Sequence, residues 1–445
     1  MRIKKKERSD TMKKKRIITQ AILLVLAVFS ASPVWAHVFF QCPCLDDPSA
    51  TNVVKANGNI ECNVGARNIG CKHITAGDGF ALMADRTTAE PSEMFIFGFH
   101  DVTYLYPPNG VYGTKGEADA AVQGDGLIAA ETSAPTISMS ETQEFYLTLS
   151  TMAMPIRPDL FDPHTVHFHG FPNAATVFDG EPMVSLAINQ GASLTYYYNL
   201  AGRAGTYLYH CHVEATEHMQ MGMLGNLIVR ATKDTGVAPN RFAYNDTDNS
   251  TRFDVDYPVQ VISFDPRFHD ANQNIQPLPF ADMLDTYPLF NGRGYPDTIN
   301  PNFLPVPQQK IEERAVRGFP NTPYETHSSQ KLPSKITATV NQRLLIRLSS
   351  VATVDLYTIS ASGLPMQIVA KDANIFRGRA LPAGLPLYQT VNSVNIGGGE
   401  SYDLIIDLAG VTPGTYFLFS TNLNELTNDK QEFGGMMTEI VVNPL

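Results

Sequence analysis

Six of the chain's 11 histidines fall within 55 residues, from His164 to His218, and Cys211, the only cysteine outside the N-terminal region, lies among them. They are set as His164-Thr165-Val166-His167-Phe168-His169-Gly170 and His210-Cys211-His212, with His218 and Met223 following. Scattered surface histidines do not explain such crowding beside a lone thiol, whereas imidazole and thiolate are the donors that transition metals select. Strand geometry sorts the donors, because successive side chains of a strand point to opposite faces. His210 and His212 share one face and Cys211 takes the other. His167 and His169 share a face, and His164, of opposite parity, joins Cys211. The chain therefore predicts two groups back to back. His164 and Cys211 face the core, with His218 and Met223 on the next loop closing that group. His167, His169, His210 and His212 form a separate imidazole face.

The two groups differ in chemistry. A trigonal His₂Cys set with a weak axial thioether suits blue copper, and soft sulfur ligands disfavour Mg, Ca or Mn. Met219 and Met221 lie nearby as packing residues, while Met223 has the ligand spacing. Four imidazoles suit Cu, Zn, Fe or Ni. A metal there sits one residue from the Cys211 thiolate along the backbone, so an electron can pass through either flanking histidine. Two coupled sites point to redox catalysis.

The rest of the chain supplies the setting. Residues 1–36 hold nine of the 33 Lys and Arg and two of the 44 Asp and Glu, leaving 24 against 42 and a net charge of −18 for residues 37–445. So acidic a remainder repels nucleic acid and anionic membrane surfaces. Residues 1–36 have the form of an export signal: a basic stretch at 13–16, an apolar run at 21–29, then Val34 and Ala36 at cleavage spacing. The run is too short to span a bilayer, and no other approaches the required ~20 apolar residues. Export to the periplasm or beyond fits Cys42, Cys44, Cys62 and Cys71, which are expected to form two disulfides of open connectivity. A metal site at Cys42, Cys44 and His73 is the alternative.

Helical periodicity is scarce. Short alternating stretches at 144–149, 193–198, 225–229, 344–348, 402–407 and 438–442 recur between Gly, Pro, Asn and Asp, the pattern of an all-β sandwich protein. A weak repeat sets the architecture. Gly205-Thr206-Tyr207-Leu208 parallels Gly414-Thr415-Tyr416-Phe417, and the segment 164–170 parallels 357–363. Two sandwiches are expected at 125–232 and 255–445, joined by a polar linker at 233–254 and preceded by a cysteine-pinned extension at 37–124. Residues 264–335, rich in Pro and Asn, read as long loops.

At HTVHFHG, FDGEP and GTYLYHCHVEATEHMQMGM, and in the second copy FNGRGYPDT and PGTYF, the chain resembles the multicopper oxidase family, relatives of laccase and copper nitrite reductase. The resemblance covers most of residues 125–445 and implies two Greek-key cupredoxin-like sandwiches. It implies type 1 copper ligands His164, Cys211, His218 and Met223, a type 2 ligand at His167 and type 3 ligands at His169, His210 and His212. It also matches Asp179 to the acidic residue beside the oxygen-reducing cluster. The expected reaction carries electrons from a small reductant, a metal ion or a redox protein to dioxygen.

Departures keep alternatives open. The family's trinuclear cluster takes eight histidines and this motif supplies four. The second copy places Tyr357, Ser360, Ser362, Phe419, Ser420 and Thr421 at the ligand positions, so it reads as copper-free. Completion could come from a second subunit in a homo-oligomer, from His37, His73 or His100, or not at all; the second domain offers only His269 and His327. A non-catalytic blue-copper carrier and a nitrite reductase-like trimer are the competing functions. If the chain is cut after Ala36, His37 becomes N-terminal and resembles the histidine brace of polysaccharide monooxygenases.

Overall fold

The computed structural model describes residues 38–83, 93–172, 175–305, 328–378 and 384–445. The expected signal segment, His37 and His327 lie outside them. All the stretches expected to be extended are strands, and their alternation decides what they bury. In Glu144–Thr151, for example, Phe145, Leu147 and Leu149 all point into one core. Each such side chain contributes about 1.5–3 kcal/mol on leaving water.

The first sandwich packs one sheet, ordered Thr51–Ala56, Asn59–Val64, Arg67–Leu82, Glu144–Thr151, Ser193–Asn199, against a second, ordered Ala134–Ser140, Leu224–Arg230, Gly205–His210, His167–His169. The expected boundary at residue 124 is therefore crossed. Arg67–Leu82 pairs in parallel with Glu144–Thr151, so strands assigned to the extension are built into this sandwich. Glu93–Asp101 pairs antiparallel with the far half of Arg67–Leu82 and forms an arm. The disulfides are Cys42–Cys71 and Cys44–Cys62, which removes a metal site there. His73 is engaged as well: its ring lies 2.9 Å from the Tyr106 hydroxyl and 2.7 Å from Ser150 Oγ.

The second sandwich packs a sheet running Tyr287–Phe290, Val255–Phe264, Arg343–Ser350, Ser401–Asp407, Met366–Lys371, Asn374–Ile375 against Ile336–Thr339, Met437–Asn443, Gly414–Ser420, Tyr357–Ala361, Ser393–Ile396. The stretch 233–254 has no named strand, yet it is not slack. The Thr251 hydroxyl donates to buried Asp246 at 2.6 Å, and Tyr244 donates to Asp403 at 2.6 Å. A buried clasp joins the sandwiches: Thr206 donates to Asp403 at 2.6 Å, and Arg347 pairs with Asp256 and Asp403. An apolar seam runs beside it, with Leu208 and Leu224 meeting Ile262, Phe264, Leu289 and Val351, and Met94 and Ile96 of the arm between them.

Candidate metal centre

His164, Cys211 and His218 converge in the first core, all three at 0% exposure, with one ligand atom from each within 4.8 Å of the others. The Cys211 Sγ lies 3.2 Å from His218 Nδ1 and 4.0 Å from His164 Nδ1. Three elements deliver them: the segment before His167–His169, the end of Gly205–His210, and the short helix Ala215–Gln220. Met223 is buried in the same core. Its N–H donates to His218 O at 2.9 Å, and its carbonyl accepts the Cys211 N–H at 3.1 Å.

The environment suits a soft cation. Burial pushes the Cys211 thiol up to about 11, so a thiolate here needs a positive neighbour. The Thr165 N–H, 3.5 Å from Sγ, works in the other direction. Burial also lowers His218 to about 4, and burial followed by the charge of His218 holds His164 well below the usual range. Both rings are neutral donors at ordinary pH. Among the described residues, His164 Nε2 and His218 Nε2 are buried without hydrogen-bond partners. A thiol and two imidazoles converging in a dry core fit copper, and hard cations gain nothing from them.

The imidazoles of the other parity lie together on the far side. His167 and His210 face each other across paired strands. One ligand atom from each of His167, His169 and His210 falls within 4.8 Å of the others. His212 stands outside that trio, but its ring lies 5.0 Å from that of His167 and lines the same cavity. Two carbonyls orient the rings. His167 Nδ1 donates to Asp179 O at 2.6 Å and His210 Nδ1 donates to Cys211 O at 2.8 Å, leaving each Nε2 as the ligating lone pair. His169 Nδ1 lies 3.3 Å from His210 Nε2. Burial keeps all three neutral, His210 at about 3. The Asp179 carboxylate is 3.6 Å from His167 Nδ1.

The cavity measures about 330 Å³. Its opposite wall comes from the second sandwich: Val351, Ala352, Thr353, Gly398 and Gly399. None carries an imidazole, and no local sequence signal marked that wall. Nor do other described histidines reach the cavity. His73 is held by Tyr106 and Ser150, His100 by Glu131 at 2.5 Å, and His269 Nδ1 donates to Phe95 O at 2.5 Å. Completion by His73 or His100 is thus ruled out.

Two further features escaped sequence reasoning. Thr165 also accepts the His212 N–H at 3.0 Å, tying both groups together. Its place between the ligands in HTVH was the available signal. Asp162 and Glu214 form an acidic cluster with His218, whose Nε2 is 4.0 Å from Asp162 Oδ2. Burial and then the Glu214 charge raise Asp162, and the same pair of causes lifts Glu217 to about 7.

Two family models, both described as multicopper oxidase, match residues 130–234 and 284–441. Laccase-2 of Cryptococcus neoformans var. grubii is 25% identical over 285 residues, 61% of this chain and 40% of that protein. Laccase-1 of Pleurotus ostreatus is 25% identical over 257 residues, 57% and 37% of the two chains. The matches thus span about two fifths of the length of these curated relatives. The crystal structure of a blue copper oxidase from Nitrosomonas europaea superposes with a TM-score of 0.54 at 21% identity, covering 83% of this chain and 85% of that one.

Proposed function

The chain belongs to the multicopper oxidase family, and we propose that it is a copper-dependent oxidoreductase, an exported oxidase that draws electrons singly from a reductant and delivers them to dioxygen. His164, Cys211, His218 and Met223 are the type 1 ligands in this proposal, and His167, His169, His210 and His212 the type 2 and type 3 ligands. Copper, when bound, supplies one-electron redox chemistry at the first group and the four-electron, four-proton reduction of dioxygen to water at the second. The residues provide the connection. Cys211 is covalently flanked by His210 and His212, and the hydrogen bond from His210 to the Cys211 carbonyl adds a second through-bond route. Asp179 is placed to hold and pass protons next to His167.

The observation that carries this proposal is the imidazole cavity itself. An electron carrier has no use for four histidines on one face, two of them oriented by carbonyls. Among the described residues the cis wall supplies no imidazole, and we infer that a second copy completes the cluster in a homo-oligomer. Copper counting with EPR on the native oligomer, with its mass and oxygen uptake measured alongside, tests the proposal. More than one copper per chain and oxygen consumption support it; one blue copper per chain in a monomer refutes it.

The missing imidazoles favour a second function, a blue-copper electron carrier with a vestigial second site. The nitrite reductase-like trimer is not favoured, since His167 and His212 stand where that family has other residues. At the reductant side, Asp162, Glu214 and Glu217 favour neutral or cationic donors over anionic ones. Asp162→Asn should raise KM several-fold for Fe(II) and leave neutral phenols nearly unchanged, consistent with the ~1 kcal/mol of an exposed charge pair. Equal effects on both donors would remove that role. Export predicts cleavage near Ala36, which N-terminal sequencing of the secreted protein checks.

A further inference from the structure

The Glu93–Asp101 arm carries an aromatic stripe whose position is not explained by fold alone. Phe95, Phe97 and Phe99 alternate onto one face and lie in the core with Cys211, Met221 and Met223. Met94 and Ile96 take the other face and pack on Ile262, Phe264 and Leu289 of the second sandwich. The arm is thus a wedge between the thiol-centred group and the copper-free sandwich.

Phe97 is where the wedge meets the ligand loop. Its N–H donates to Met221 O at 2.9 Å, between His218 and Met223. Its ring stands edge-on to His218 at 5.7 Å and 87°. Its carbonyl packs on Gly222, φ +114°, where a Cβ would come within 2.9 Å. Only glycine permits that approach. Three contacts from one residue therefore fix the turn that sets His218 relative to Met223. Two neighbours lock the arm in place: Phe95 meets Phe97 edge-on at 5.6 Å, and its carbonyl accepts the His269 N–H.

We propose that Phe97 is a positioning residue for the type 1 ligand loop, through which the disulfide-pinned N-terminal region and the second sandwich bear on the copper ligands. The proposal rests on the type 1 assignment made above. Axial ligation and the apolar surroundings of the cysteine sulfur tune such centres, so a loosened 218–223 turn must alter them.

The test compares full-length, copper-loaded Phe97→Leu with Phe99→Leu. Phe99 lies on the same face but packs on Tyr209 at 5.6 Å, away from the loop. Both substitutions lose similar apolar area and should lower Tm alike. Phe97→Leu alone should shift the visible band and type 1 EPR hyperfine splitting, and release type 1 copper to a chelator at least about tenfold faster. Copper at the imidazole face should be retained as in the wild type. A wild-type type 1 spectrum and release rate in folded Phe97→Leu overturns the proposal, as does an equal shift in Phe99→Leu. Phe97→Met, whose unbranched side chain adapts to an irregular gap, substitutes if the leucine variant does not fold. A wild-type protein with no type 1 signal refutes the underlying assignment instead.

Discussion

The two sandwiches share strands and pairing but not chemistry. His167 sits opposite His210 in the first, and Ser360 sits opposite Phe419 in the second. Both leave that strand through a left-handed glycine, Gly170 at φ +71° and Gly363 at φ +69°. Cys211 and Ser420 are equally buried, but the Ser420 hydroxyl donates to Glu425, whereas the thiol meets two imidazoles. Backbone closure survives too: the His212 N–H is taken by Thr165 Oγ1, the Thr421 N–H by Thr358 O. The sandwich is held by its apolar strands, and the second copy keeps the same pairing without the His and Cys donors.

The sharpest way to break this comparison is to exchange the central residue. Cys211→Ser should abolish the blue band and oxidase activity while leaving metal on the imidazole face. Ser420→Cys should create no blue centre, because Tyr357 stands where His164 does. Loss of all copper in Cys211→Ser, read by metal analysis and EPR, would show that the two groups are not separate. Next in size is Asp179→Asn. The bond from His167 goes to a backbone oxygen, so copper should remain, while oxygen uptake falls about 10²-fold if the carboxylate passes protons. Unchanged turnover removes that role.

The first sandwich's N-terminal region should also be acid-sensitive. Burial lowers His73 to about 3, against about 6.5 in the unfolded chain. The unfolded chain therefore binds the extra proton, and stability falls as pH drops from about 6.5 towards 3, by at most about 1.4 kcal/mol per unit. His100 has the opposite sign. Burial and Lys331 oppose its charge, but Asp125 and Glu131 hold it above the ordinary value. Its contribution is full below about 6.5 and is lost as pH rises through its folded value. Melting curves against pH for apo wild type and His73→Gln should differ in slope only on the acid side, beyond a constant offset for the lost bonds to Tyr106 and Ser150. Smallest is the shared glycine: Gly170→Ala and Gly363→Ala should each cost about 1 kcal/mol. A much larger loss at Gly170 would mean that the metal site strains its own turn.

Much of this was legible because strand alternation is local. The parity of His164 against His167, and of Cys211 against its neighbours, separates the donors into the groups that assemble. The repeat of 164–170 in 357–363 was legible for the same reason. What escaped depends on distant pairing. The strand Glu93–Asp101 was not singled out, and nothing local says that it lies on the loop holding His218. The wall at Val351–Thr353 has no chemical signature. The polar composition of 233–254 read as a linker, and nothing local says that Asp246 and Tyr244 spend their polar groups on buried bonds.

The clasp of Thr206, Arg347 and Asp403 bears on how the molecule can be divided. A fragment stopping before residue 255 would strip Leu208 and Leu224 of their cover and leave Thr206 without its carboxylate partner. The complementary piece would keep the Arg347 guanidinium beside Asp403 but open it to water. The second sandwich therefore covers buried surface of the first, and the half that carries the His and Cys cluster should not fold as a portable module.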